Sequence, residues 1–172
     1  MMDTMEKTKI TPEEYKRLKA EVIDKIVVAR VGLLLRHPFF GNMATRLQIK
    51  ECDEWCPTAA TDGRNLFYNV DFFSKLSNKE IEFVIAHEIL HCVFDHMTRR
   101  EDRDPQLHNI ACDYIVNNTL CRDNIGEKPK DIQIFQDWKY DGWTSEAVYD
   151  DIYKKGKEKM EQLGKLLDEH ID

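Results

Sequence analysis

The chain has 172 residues and a mass of 20.3 kDa, enough for one domain that buries about two-thirds of its unfolded surface without staples. Lysine plus arginine number 25 against 32 aspartates plus glutamates, a formal net charge of -7 with a pI near 5.4, which counts against a general DNA or RNA binder because such proteins are basic. With 42% hydrophobic residues, 33% charged residues and a mean hydropathy of -0.57, the composition is that of a soluble globular domain rather than a disordered chain. The longest apolar run, residues 26–35, contains Arg30 and is too short to span a bilayer. Residues 1–10 are polar with no secretory h-region, so the five cysteines are expected to be reduced thiols in a cytoplasm.

In chain order, Thr11, Pro12 and Glu14 form a helix start with a capping box, and an apolar stripe (Leu18, Val22, Ile26, Val27, Ala29, Leu33, Leu34) carries the helix to about Leu35. His37-Pro38 ends it, and Gly41 with Asn42 marks a turn. Residues 46–52 alternate as a strand; residues 58–61, the Asp62-Gly63 pair and residues 65–70 read as a hairpin, so a small antiparallel sheet is expected. Residues 70–76 suit a short helical turn. Ser77 and Glu80 make a second capping box, opening a helix through Ile81, Ile85, Ile89 and Met97 to about Arg99. Asp104-Pro105 starts another helix, to Leu120. Residues 126–129 are loop, residues 132–143 are strand or loop, and Thr144 opens a last helix. The expected organisation is one domain over residues 1–153, with a flexible stretch over 1–10, followed by a charged helical extension or linker over 154–172.

The chemistry lies in His87-Glu88-Ile89-Leu90-His91, an H-E-x-x-H within an apolar helix. Residues four apart are offset by about 40° around a helix, so both imidazoles leave one face and can bind one Zn²⁺. Glu88 is placed to take a proton from a water whose pKa zinc lowers from 15.7 to about 7. The bland alternative is an ordinary helix with two surface histidines. The apolar flanks oppose it, because burying two histidines and a glutamate without a partner is costly.

Zinc needs a third protein ligand. His96 fails on geometry: an unbroken helix sets it about 140° from His91. Asp113, a carboxylate amid apolar residues on the following helix, is the preferred ligand, with Asn117 one turn on supporting the site. His108, about 140° from Asp113 around that helix, is the alternative ligand or a transition-state hydrogen-bond donor. Tyr114 and Tyr140 could donate to a developing oxyanion or could simply pack. Cys52 and Cys56 read as free thiols, Cys92 and Cys112 as small core residues, and Trp138, Tyr140 and Trp143 as a core lid.

The segments Thr61 to Asn69, Phe83 to His91, Arg103-Asp104-Pro105 and Asn109 to Tyr114 resemble the metallopeptidase-type domain that precedes von Willebrand factor A-like domains in bacterial and phage proteins. The resemblance covers roughly residues 38–152. It implies an α+β, zincin-like fold with helices on a small, mostly antiparallel sheet. It also implies a gluzincin-like site with His87, His91 and Asp113 on zinc, and Glu88 as general base. By the same resemblance the partners are a peptide or protein substrate and a von Willebrand factor A-like domain or AAA-type partner. No such domain lies within the 172 residues, so a following domain or a short stand-alone version is expected. In zincins the strand beside the active helix binds the substrate by sheet extension; here residues 65–70 or their hairpin partner are the candidates. The expected activity is zinc-dependent peptide-bond hydrolysis. The competing reading is a non-catalytic zinc-binding module for a protein partner. A protease for DNA-bound proteins is kept only by the basic patch of Arg99, Arg100 and Arg103.

Overall fold

A computed structural model of the chain describes residues 10–94 and 100–171. Helix α1, Pro12–Arg36, begins as expected: the Thr11 side chain accepts the Glu14 N–H and the Glu14 carboxylate takes the Thr11 N–H in return. Such a cap is worth about 1 kcal/mol. Val22, Ile26, Ala29 and Leu33 form its buried face.

The chain does not turn at Gly41 and Asn42. Pro38 occupies the first position of a second helix, α2, Pro38–Arg46, which runs through both residues. Gly41 is there for closeness: a Cβ on it would stand 2.2 Å from the Leu34 Cα, so only glycine lets α2 cross α1 at this distance.

Strands β1 (Gln48–Glu51), β2 (Ala59–Thr61) and β3 (Asn65–Tyr68) form a three-stranded sheet in the order β1-β3-β2. It is mixed rather than mostly antiparallel. β2 and β3 are the expected hairpin, with Ala59 opposite Tyr68, but β3 then inserts beside β1, parallel to it, with Gln48 opposite Asn65. Two reversals of direction leave β1 and β3 pointing the same way, and the non-local pairing puts β3 in the centre.

A short helix, α3 (Val70–Ser74), is capped by the Asn69 side chain. Helix α4, Asn78–Val93, starts at the Ser77–Glu80 capping box. Helix α5, Pro105–Arg122, starts at Asp104, whose carboxylate accepts the Leu107 N–H. A 3-10 turn spans Trp138–Tyr140, and α6 runs from Ser145 to Ile171 as one helix. The expected end of α4 near Arg99, His96 within it, and the stretch 1–9 lie outside the described residues.

The main core joins α1, α2, the sheet and the apolar side of α4, where Ile81 and Ile85 are fully buried. Each such side chain contributes about 1.5–3 kcal/mol, so α4 is fixed by that side and its other face is left for chemistry. Glu82, also buried, is held by Arg36 of α1 at 2.5 Å. A smaller cluster of Ala111, Tyr140, Val148 and Tyr149 binds α6 to α5, and the Tyr149 hydroxyl receives the Asp104 N–H at 2.9 Å. No helix among the described residues is long and apolar enough to cross a membrane.

Gly41→Ala is expected to force α2 off α1 and destabilise the fold by about 1–3 kcal/mol, the usual range for overpacking. Urea denaturation measures this, and an unchanged midpoint would refute the close-approach argument.

Candidate metal centre

His87 and His91 sit one turn apart on α4; Asp113 and Asn117 sit one turn apart on α5. The two helices face each other with these turns in register. His87 Nε2 lies 3.0 Å from His91 Nε2 and 3.1 Å from Asp113 Oδ1, and His91 Nε2 is 2.9 Å from the same oxygen. All three side chains are partly buried, between 20% and 28% exposed.

Asn117 fixes the chemistry of this triangle. It is buried, and its amide nitrogen donates to the Phe135 carbonyl at 2.9 Å, so its Oδ1 is the atom facing His87 Nδ1 at 2.8 Å. The imidazole must therefore carry a hydrogen on Nδ1 to make that bond, and in the neutral ring Nε2 is left with its lone pair. His87 Nε2 then turns its lone pair toward the Asp113 oxygen and His91 Nε2, and a cation shared by the three would satisfy them together.

The spacing of the three atoms suits a metal ion as well. Ligand atoms 2.0–2.1 Å from one tetrahedral zinc are about 3.3 Å apart, close to the 2.9–3.1 Å separations of this triangle. Among the described residues this is the one group of three or more histidine, cysteine or acidic side chains able to hold an ion. Two imidazole nitrogens and one carboxylate oxygen suit zinc.

The same groups shift one another's titration. Burial works against an ionised Asp113, but the hydrogen bonds of His87 and His91 outweigh it and hold the carboxyl at about 2. Burial likewise opposes a charged His87; Asp113, Glu88 and Asn117 together overcome it and raise its pKa. Glu88 moves the opposite way to Asp113: burial raises its pKa, against the pull of the two imidazoles. The two carboxylates thus differ in kind, one held as an anion and one inclined to accept a proton. No described side chain hydrogen-bonds Glu88, so its oxygens are available.

His87, Glu88, Asp113 and Asn117 line one cleft of about 210 Å³. One wall is Thr58 and Ala59, at the start of β2. The opposite wall is a segment without regular structure, including Pro129, Ile132, Gln133, Ile134 and Phe135. This segment is tied down at both ends. Glu127 N–H donates to the Lys79 carbonyl and Lys130 N–H to the Glu80 carboxylate, on the first turn of α4. Gly126, at φ +63, makes this approach possible, because a Cβ there would lie 2.6 Å from the Phe83 nitrogen. At the other end Asn118 receives the Asp137 N–H at 3.2 Å and donates to the Asp137 carbonyl at 2.8 Å, pairing like a piece of strand.

Other expected participants stand elsewhere. His108 is buried, with Nε2 3.4 Å from Cys112 Sγ, and is not part of the ligand triangle. Tyr114 packs on Phe135 and Tyr140 without lining the cleft. The Tyr140 hydroxyl already donates to Asp151 at 2.7 Å. Cys112 is buried as expected, but Cys92 is exposed. Trp138 and Trp143 are exposed around a buried Tyr140. Asn118 and the cleft-wall segment were not legible in the sequence; the one signal was a pair of adjacent asparagines within an otherwise apolar stretch of α5.

The architecture and the site define an α+β domain with a candidate two-histidine, one-carboxylate metal centre. Residues 23–170 match the family described as "Putative metallopeptidase domain". The match spans most of the 172 residues, and the chain belongs to that family. No curated protein and no solved structure matches it.

Asn117→Ala frees the His87 ring and removes the acceptor that sets its tautomer. It should weaken zinc binding by roughly 10–100-fold, measured by competition with a chromophoric chelator. Equal affinity would show that Asn117 serves only the Phe135 segment.

Proposed function

We propose that this domain is a zinc-dependent peptidase of the zincin type, with His87, His91 and Asp113 as ligands and Glu88 as general base. One observation carries the reading: His87 and Asp113 of the ligand triangle and the proton-accepting carboxylate of Glu88 share a cleft bounded by β2, the edge strand of the described sheet. When bound, zinc would supply Lewis acidity toward a peptide carbonyl and a water molecule.

The residues then divide the work. Glu88 takes a proton from the attacking water on a carboxylate oxygen and later returns it to the amide nitrogen that leaves. The water oxygen joins the carbonyl carbon as the C–N bond breaks. Asp113 stays ionised throughout, and Asn117 keeps the His87 ring oriented.

Substrate positioning falls to β2. β3 is central, paired on both sides, so residues 65–70 cannot accept another strand. The hairpin partner can. Asn69 N–H donates to the Thr58 carbonyl at 2.9 Å, and in an antiparallel ladder bonded pairs alternate. Ala60 is therefore the next residue bonded to β3, and Ala59 and Thr61 direct their N–H and C=O groups outward. An extended peptide can add there, with its side chains against Phe72, Phe83, Val84 and Phe135, which suits an apolar residue near the scissile bond.

Glu88→Gln should retain zinc and lose roughly 10²–10⁴-fold in hydrolysis of a peptide library; retained turnover would reject the mechanism. Chelation should abolish activity and added zinc restore it.

Ala59→Pro removes one outward N–H from an edge strand that tolerates proline. It should lower kcat/KM with zinc content and fold unchanged. Unaltered kinetics would place the substrate elsewhere.

A further inference from the structure

The connection between β1 and β2 carries two of the five cysteines. Cys52 and Cys56 are free thiols that neither line the cleft nor join the ligand triangle. One backbone turn links them. The Cys56 N–H donates to the Cys52 carbonyl at 2.9 Å, and the Trp55 N–H donates to the same oxygen at 3.1 Å. A bond from residue i+4 back to residue i closes one helical turn, which sets the two Cα atoms about 6 Å apart. Disulfides join Cα atoms roughly 4.4–6.8 Å apart. The Cys52 side chain already turns toward its neighbour, with Sγ 3.6 Å from the Cys56 carbonyl oxygen.

The two thiols differ in access. Cys52 is 1% exposed, whereas Cys56 is half-buried. Burial first, and then Cys56 beside it, push the Cys52 thiol up to about 12. A reagent in solution therefore meets Cys56 first, and Cys52 reacts only with a sulfur held next to it.

We propose that Cys52 and Cys56 form a reversible dithiol–disulfide site whose oxidant is a small disulfide such as oxidised glutathione. The Cys56 thiolate attacks one sulfur of the oxidant, breaks its S–S bond and releases one glutathione. Cys52 gives up its proton, attacks the Cys56 sulfur and releases the second glutathione. Two electrons pass from the cysteine pair to the oxidant, and the two thiol protons end on the released glutathiones.

The bridge staples the end of β1 to the segment that leads into β2. Cys52 N–H donates to the Tyr68 carbonyl at 2.9 Å, and the Cys56 carbonyl accepts the Asn69 side chain at 3.0 Å. Asn69 N–H donates in turn to the Thr58 carbonyl at 2.9 Å, where the cleft wall begins. Oxidation thus braces the edge strand of the cleft without using a candidate ligand, and the site is independent of whether the domain cleaves peptides.

Trypsin cutting after Lys50 and Arg64 releases residues 51–64, a peptide that holds both cysteines and none of the other three. The full native chain is equilibrated in a glutathione buffer rich in the disulfide, acid-quenched, alkylated and digested, and the mass of that peptide is measured. It should lose two hydrogens and carry neither alkyl groups nor glutathione, and dithiothreitol should reverse the change. Cys52→Ser should stop with one glutathione on Cys56, and Cys56→Ser should leave Cys52 reduced. In urea, where the turn is lost, the closed fraction should fall severalfold in the same buffer. A native peptide that remains a dithiol, or that ends as glutathione adducts, would overturn the proposal. So would closure as complete in urea as in the native chain, or a glutathione adduct on Cys52 in the Cys56→Ser variant.

Discussion

Two imidazole nitrogens and a carboxylate oxygen are held within 3.1 Å of one another by two packed helices. Left to themselves they would swing into water. Each is restrained by what lies behind it. α4 is anchored by Ile81 and Ile85 in the main core, and α5 by its packing on α6 and by Asp104 at its start. The Nδ1 hydrogen of His87 is committed to Asn117. Such crowding favours a cation at the meeting point, and that makes these residues a candidate metal centre.

The same residues link fold and site more than once. Glu80 closes the capping box of α4 and also receives Lys130 N–H from the cleft wall. Asn117 orients an imidazole and anchors Phe135. Asn118 beside it pairs with Asp137. The wall of the cleft is thus irregular in backbone yet secured to the two helices that carry the candidate ligands, so the shape of the cleft and the positions of those residues are set together.

Much of this was legible in the sequence because it is local. A helix places residues four apart on one face whatever surrounds it, so His87 with His91, and Asp113 with Asn117, could be paired from spacing alone. Capping boxes at Thr11 and Ser77 mark helix starts for the same reason. What escaped was non-local. Strand order depends on which partner β3 meets, so the mixed sheet and the edge position of β2 could not be read from alternation. Gly41 looks like a turn residue unless the helix crossing it is known. The helical wheel gave an angle for His108 but not its neighbours, and nothing local set the surroundings of Tyr114. One is buried against Cys112 and the other sits in an aromatic cluster.

The central claim is a single cation shared by two helices, and anomalous diffraction at the zinc absorption edge addresses it most directly. Crystals of the protein grown with zinc should show one strong peak within bonding distance of His87 Nε2, His91 Nε2 and an Asp113 oxygen, with the His87–Asn117 hydrogen bond intact. A map with no peak at that point, or with the metal on other side chains while these three remain in contact, would contradict the account.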